Sequence, residues 1–212
     1  MKKIIILFFA TTFSITVFSQ GVGLAGGFLI SNVMGSDKNQ GDDNVNISSL
    51  VSPTIGLVWK SGDSGIRFTT EVSYMQKGAK WNGKTEDLAL GAPIGTYERV
   101  IKLNYLTIAT TGNFHFTDEV YINLGPYIGI LTSLSNKVKI SYEDVSETNN
   151  SSETDGTSKL DFGVNIGTGY WINDLLNIDI KYSIGLNSLD EDNDDSINNT
   201  AVQIGVGYLF NY

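Results

Sequence analysis

The sequence predicts an all-β fold: an eight-stranded antiparallel up-and-down transmembrane β-barrel that follows a cleaved signal peptide. Three observations predict it. The chain opens with a basic and then apolar segment, later segments alternate apolar and polar residues with a period of two, and the connections between them alternate between long and short. Period-two alternation places apolar side chains on one face of a strand. Alternating connection lengths are typical of a barrel whose two rims face different compartments.

The composition excludes several classes of protein. The 212 residues include 14 Lys and Arg, 23 Asp and Glu, one His and no Cys. The absence of Cys excludes disulfides and thiolate metal sites. The formal net charge of −9 argues against a nucleic-acid partner, which would require a basic surface. A hydrophobic content of 41% is too high for a disordered chain.

Residues 1–20 have the features of a signal peptide. Lys2 and Lys3 precede an apolar run at 4–18, and the small residue Ser19 follows it. A membrane-spanning helix would need about 20 predominantly apolar residues, and this run is shorter and contains Thr and Ser. We therefore expect cleavage near residue 20 and a single exported domain at 21–212 with a net charge of −11.

Period-two alternation predicts eight strands. In the three clearest segments, 16 of 18 positions on one face are apolar or aromatic, and the opposite face is rich in Gly, Asn and charged residues. A helical period of 3.6 would not keep the apolar residues on one face. These three strands are expected at 160–171, 176–187 and 200–210, and five more at 21–31, 50–59, 65–79, 99–116 and 119–134.

Two irregularities are expected within these strands. The apolar pattern changes phase between Tyr105 and Leu106, which indicates a β-bulge in the fourth strand. Pro126 lies inside the fifth strand and cannot donate a ladder hydrogen bond. We therefore expect a second bulge at Pro126.

The connections separate two rims. In outer-membrane barrels the short turns lie on the periplasmic side and the long loops lie outside. An even number of strands then places both chain termini at the short-turn rim. Aromatic residues cluster near the predicted strand ends, as expected at membrane interfaces. Long polar loops are predicted near 32–49, 80–98, 137–158 and 188–199, and short turns near 60–64, 117–118 and 172–175.

Alternation alone does not say which face of the barrel is inside. A lipocalin-like soluble barrel has the same period, with its apolar face turned inward around a ligand. In this chain the polar face combines Gly with charged residues, which suits the filled lumen of a small eight-stranded barrel of the OmpA/OmpX type better than a water-facing surface. The pattern therefore favours apolar side chains that face lipid.

Four segments also carry a resemblance to a known family. They are Glu71–Gly78, Leu103–Ile108, Asn123–Gly129 and Gly205–Phe210. Their order and spacing resemble the PorT-like outer-membrane β-barrel domain family, which is common in the Bacteroidota, over residues 21–212. The chain departs from the family where Thr107 and Ala109 replace a frequent acidic residue and proline. The resemblance implies an outer-membrane barrel, and for some relatives a link to a protein-secretion apparatus.

Acidic residues are concentrated in two of the predicted long loops. Asp190, Asp192 and Asp194 resemble the start of a calcium-binding loop, but the glycine and the final carboxylate of that motif are missing. We therefore expect a solvated acidic loop, with weak and irregular Ca²⁺ binding as the alternative. Ten of the 23 acidic residues lie in this loop and in 140–158, where divalent cations would be able to bridge them to lipopolysaccharide.

Catalytic or cofactor chemistry finds little support in the sequence. The G-x-G-x-x-G motif at 21–26 lacks the βαβ context that a dinucleotide site requires. His115, the only histidine, lies between two phenylalanines at a strand end, and we expect it to pack there. We therefore predict a protein that is not an enzyme and holds no cofactor.

Charged residues on the polar face form the remaining candidate site. Buried charges cost free energy unless they are paired and hydrogen-bonded, so we expect an ion-pair network that plugs the lumen. The alternatives are a narrow pore or a small-ligand site. The functional hypotheses are a structural or surface-interaction barrel that contacts outer-membrane lipid, a transport barrel, and an accessory of envelope or secretion proteins. The residues concerned are Arg67, Glu71, Asp161, Asp179 and Lys181.

Overall fold

A computed structural model describes residues 21–34, 45–62, 66–86, 93–142, 145–152, 157–189 and 197–211. The predicted signal peptide at 1–20 lies outside these residues. No helix long enough and apolar enough to cross a membrane occurs among them. Every element in the described part of the chain is a β-strand.

Eight strands form a closed antiparallel ring, which confirms the predicted fold class. The ring runs β1-β2-β3-β4-β5-β7-β8-β9 and closes where β9 pairs with β1. A ninth strand, β6, pairs only with β5 among the described strands and lies outside the ring. The strands are β1 (Gly21–Met34), β2 (Val45–Ser61), β3 (Ile66–Glu86), β4 (Pro93–His115), β5 (Val120–Tyr142), β6 (Val145–Ser151), β7 (Leu160–Trp171), β8 (Leu176–Gly185) and β9 (Asn198–Asn211).

The apolar face of each strand points outward, as the alternation predicts for a barrel in lipid. Along β7 and β8 exposed or half-buried apolar residues alternate with buried polar or small ones. This outward band is closed all round because every strand of the ring has a partner on both sides, so no sheet edge faces lipid. Exposed members of the band include Phe28, Ile55, Tyr74, Leu106, Leu124, Ile130, Ile166, Ile180, Ile204 and Tyr208.

Short turns lie at one rim, where the sequence places them. The turn between β4 and β5 is held by Thr117, whose hydroxyl accepts hydrogen bonds from the backbone N–H groups of Glu119 and Val120. In the turn between β7 and β8 the Asn173 side chain accepts from the N–H groups of two following residues. These local side-chain bonds satisfy backbone donors that a tight turn leaves without a ladder partner.

The opposite rim is uneven, because some predicted loops are strand instead. β3, β4 and β5 contain 21, 23 and 23 residues, whereas β7 and β8 contain 12 and 10. Above the lipid band neither face of a strand needs to be apolar, so this part lacks the alternation by which the other strands were recognised. We use "extension" for residues 76–86 of β3, 93–104 of β4, 133–142 of β5 and all of β6.

The two predicted bulges turn out differently. A register shift does lie beside Tyr105, but the extra residue is Thr132 of β5, because Asn104 pairs with Ser133 and Tyr105 pairs with Leu131. β4 itself alternates without interruption. Tyr105 faces the lumen and its neighbour Leu106 faces outward, so two adjacent apolar residues occur without a bulge in this strand.

The bulge expected at Pro126 is wrong. Pro126 pairs with Val164 of β7 in an unshifted register. Pairing with β4 is interrupted opposite the proline and resumes in the same register at Leu124. The strand thus tolerates the missing N–H through a local gap in one ladder, without an additional residue.

Candidate functional site in the barrel lumen

Side chains from the inward faces of the strands fill the lumen. Most inward positions carry polar, charged or small residues, and each strand contributes one residue in two. The charged residues form three levels along the barrel axis, which we call the lower, middle and upper levels, counted from the short-turn rim.

The middle level is an ion pair across the full width of the barrel. Lys181 Nζ of β8 lies 2.6 Å from Glu71 Oε2 of β3, and 3.5 Å from Asp179 Oδ1. β3 and β8 lie on opposite sides of the eight-membered ring, so the pair spans the lumen. The side chains of Lys181 and Glu71 are only 13% and 6% exposed. Three of the predicted residues are therefore brought together here.

The upper level joins Lys77 of β3 to Asp161 of β7. Lys77 Nζ lies 2.7 Å from Asp161 Oδ2, and both side chains are almost fully buried. The other Asp161 oxygen accepts a hydrogen bond from the Tyr127 hydroxyl at 3.2 Å, and Asn199 Nδ2 donates to Oδ2 at 3.2 Å. The lysine ammonium also lies 4.3 Å from the centre of the Tyr127 ring. Asp161 is thus held by three donors, as a buried carboxylate requires.

The lower level contains Lys60, which lies in the turn predicted near 60–64 but here belongs to the end of β2. Lys60 Nζ donates to Asn177 Oδ1 at 3.0 Å and lies 3.7 Å from the centre of the Trp171 ring. Asn177 in turn donates to the Tyr121 hydroxyl at 3.0 Å. Asn177 gave no sequence signal beyond its inward phase. Tyr121 belongs to the aromatic residues near strand ends that were expected at a membrane interface, but it is buried in the lumen. The period-two pattern of β2, followed to its last residues, would have placed Lys60 inward.

Apolar residues pack beside the charged levels. Val58, Tyr121, Trp171 and Leu209 form one cluster next to the lower and middle levels, where Val58 pairs with Glu71. Leu103, Tyr105 and Leu134 form a second cluster next to the upper level, where Leu103 pairs with Lys77, and further apolar side chains pack on it. The space left between Lys60, Glu71, Asp179 and Lys181 is about 20 Å³, which is room for about one water molecule.

The other predicted site residues do not belong to these levels. Arg67 is half-buried at the short-turn mouth, where it lines a depression with Asp118, Glu119 and Trp171. The ring of His115 lies 5.2 Å from the ring of Tyr121, in a tilted arrangement.

The acidic motif and the glycine motif of the sequence supply none of the charged side chains described in the lumen. Asp190, Asp192 and Asp194 lie outside the described residues, and no group of three or more potential metal ligands occurs within them. Residues 21–26, the glycine motif, form the start of β1. A Cβ atom at Gly23 would lie 2.0 Å from the carbonyl oxygen of Tyr208, so this glycine permits close contact between β1 and β9.

Comparison with known proteins places this geometry among membrane barrels. A family model described as outer membrane protein beta-barrel domain matches residues 18–191. No curated protein is similar enough to this chain to match.

Several solved structures are similar to this chain at low sequence identity. The attachment invasion locus protein Ail of Yersinia pestis is 15% identical, with 91% of this chain and 99% of that chain covered and a TM-score of 0.47. Neisserial surface protein A is 12% identical, with 89% and 97% covered and a TM-score of 0.47. The outer membrane protein OprG from Pseudomonas aeruginosa is 10% identical, with 92% and 98% covered and a TM-score of 0.41.

Proposed function

Since the chain belongs to the family of outer membrane protein β-barrel domains and lies in the outer membrane, we propose that it is a closed, non-enzymatic barrel that anchors an interaction surface outside the cell. The barrel supplies a rigid membrane anchor, and the extension supplies the surface. The function needs no cofactor.

The observation that carries this proposal is the ion pair between Lys181 and Glu71. A conducting pore needs a continuous water-filled path, whereas this pair joins opposite walls of the barrel. The upper level at Lys77 and Asp161 adds a second connection across the lumen. Apolar clusters pack beside these charges and lower the local dielectric constant, which strengthens their attraction.

The extension supports the second half of the proposal. In outer-membrane barrels the short turns face the periplasm, so the tall ends of β3, β4 and β5 face outward. Their ladder continues well past the lipid band, up to the pairing of Gly95 with Tyr142. A hydrogen-bonded sheet of this height is a more ordered contact surface than single loops would be.

Electrical recording tests the closed lumen. We expect the purified, folded protein to give no steady conductance in planar lipid bilayers. The variant Lys181→Ala removes the group that joins the opposite walls, and Lys159→Ala changes an exposed lysine outside the lumen as the matched control. Steady ohmic conductance of the unmodified protein would overturn the proposal in favour of a narrow pore.

A role as an accessory of envelope or secretion proteins is the second candidate. The depression at the short-turn rim favours it, because charged Arg67, Asp118 and Glu119 lie beside Trp171 on the side expected to face the periplasm. Membership of the PorT-like branch of the Bacteroidota, implied by the four resembling segments, would agree with such a role. Photo-crosslinking from Asn173 in cells would capture a periplasmic partner, and a residue of the extension such as Thr96 serves as the control position.

A further inference from the structure

The outward face of the extension carries a group of lysines. Cross-strand pairing arranges them in rows across β3, β4 and β5: Lys80 and Lys137 flank Val100 in one row, and Lys102 lies in the row nearer the membrane. Two more lysines lie farther out along the same face. We use "lysine face" for this set, which consists of Lys80, Lys84, Lys102, Lys137 and Lys139.

The lysine face begins just beyond the lipid-facing band. On the same outward face Tyr74, Leu106 and Ile130 form the last apolar row, and they are 46%, 45% and 48% exposed. One row of polar side chains follows, in which Gln76 donates to Asn104 at 2.9 Å and Asn104 donates to Ser133 at 2.8 Å. At about 3.3 Å per residue the first lysine lies roughly 13 Å along the strand from the apolar row. Because barrel strands tilt by about 40°, this is roughly 10 Å along the membrane normal, in the region of headgroups and sugars outside the hydrocarbon core.

Within the described residues the charge of this face is only partly neutralised. The ion pairs among the described residues involve Lys77 and Lys181, which lie in the lumen, and none includes a member of the lysine face. The described side chains of β3, β4 and β5 on this face include one carboxylate, Glu98, against five lysines. A strongly basic patch thus occurs in a protein whose formal net charge is −9.

The lysine face is also concave. Four of its lysines, all except Lys84, line one depression together with Glu98, Val100 and Ser135. Lys80 and Lys137 lie two strand spacings apart across Val100, about 10 Å between Cα atoms. Flexible ammonium groups at this spacing can close around a phosphate from several sides, with an apolar floor below it.

We propose that the lysine face binds the phosphorylated sugar headgroup of lipopolysaccharide in the outer leaflet around the barrel. The phosphates supply the negative counter-charges for the lysines, and the acyl chains of the same molecule contact the apolar row below. The inference rests on the proposed function for one point, that the extension faces outside. It differs from cation bridging through the acidic loops, since the lysines contact the phosphates directly.

The test uses the folded full barrel in non-ionic detergent micelles and diphosphorylated lipid A as the probe. We expect the unmodified protein to bind it, and the triple variant K80Q/K102Q/K137Q to bind about 100-fold more weakly at low salt. The variant K80R/K102R/K137R keeps the charge and keeps the affinity. Among single variants K137Q weakens binding, and K159Q, at an exposed lysine outside the extension, does not. Unchanged heat-modifiable gel mobility verifies that each variant is folded.

Several results would overturn the inference. They are equal binding by the triple glutamine variant, equal binding of dephosphorylated lipid A, or equal lysine-dependent binding of phosphatidylglycerol, which would make the face a general anionic-lipid surface. Conductance measured on the same preparations separates this inference from the proposed function. A conducting barrel with lysine-dependent binding refutes only the proposed function, and a closed barrel with lysine-independent binding refutes only the inference.

Discussion

Replacing the two partners of the middle-level ion pair should have unequal effects on stability. Lys181 pairs with Glu71 at 2.6 Å and with Asp179 at 3.5 Å. The substitution Lys181→Met leaves two buried carboxylates without their cation, whereas Glu71→Gln leaves Lys181 with Asp179. We therefore expect Lys181→Met to lower the free energy of unfolding more than Glu71→Gln does.

The distances set the size of the effect. At an effective dielectric constant of 20, unit charges attract by about 6 kcal/mol at 2.6 Å and about 5 kcal/mol at 3.5 Å. Desolvation of the buried groups offsets much of this attraction, and removing one partner of a buried pair costs about 3–5 kcal/mol. We expect Lys181→Met to lie in this range and Glu71→Gln to lie below it. Replacing all three groups together, as E71Q/D179N/K181M, should cost less than Lys181→Met alone.

Equilibrium unfolding in urea, with the barrel folded into lipid vesicles, measures these differences. Lys159→Met serves as the control, because Lys159 is exposed and outside the lumen, and it should change the free energy of unfolding by less than about 0.5 kcal/mol. Equal effects of Lys181→Met and Glu71→Gln would refute the reasoning, since they would mean that Asp179 does not share the lysine.

Two further predictions concern the barrel wall. The substitution Gly23→Val should prevent closure of the ring, because its Cβ would lie 2.0 Å from the Tyr208 carbonyl oxygen, and loss of the heat-modifiable gel band measures this. Deleting Thr132 should be tolerated, because Leu131 and Ser133 then continue the regular alternation beside β4, and the gel band should persist with little loss of stability.

Matched controls sharpen both predictions. Gly26 is on the same strand, and a Cβ there would meet its nearest neighbour at 3.6 Å, so Gly26→Val should fold. Deleting Ile128 instead of Thr132 would turn lipid-facing side chains of β5 into the lumen, so that variant should not fold. If Gly23→Val folds normally, or if the Thr132 deletion behaves like the Ile128 deletion, the corresponding account of the wall is wrong.

The ring could be predicted from the sequence because lipid imposes a strict alternation. Ile178 and Ile180 reveal the outward face of β8 wherever it contacts the bilayer, and the intervening polar residues reveal the inward face. Above the bilayer this requirement ends. The upper part of β4 therefore has a polar sequence without alternation, like that of a loop. Tyr105 led to the wrong prediction of a bulge in β4, because an apolar side chain lies on the lumen side at that position as well.

The pairing inside the lumen could not be predicted in the same way. Glu71 and Lys181 are 110 residues apart, and the sequence does not encode which strands face each other across a ring until the register of every hairpin is known. Lys77 and Asp161 have the same difficulty. The inward phase of the charged residues identifies candidates, but only the closed geometry of the barrel assigns partners.

The unequal heights of the strands have a mechanical consequence. β3 and β4 run without a break from the short-turn rim to the top of the extension, and their ladder is continuous except for one shift at the tip. A force applied at the tip along these strands loads that whole ladder in shear, so many hydrogen bonds resist together. A sideways force on β6 meets, within the described residues, the seven residue pairs that join it to β5, which can be peeled apart one after another. The barrel is therefore built to withstand traction along the membrane normal far better than traction across it.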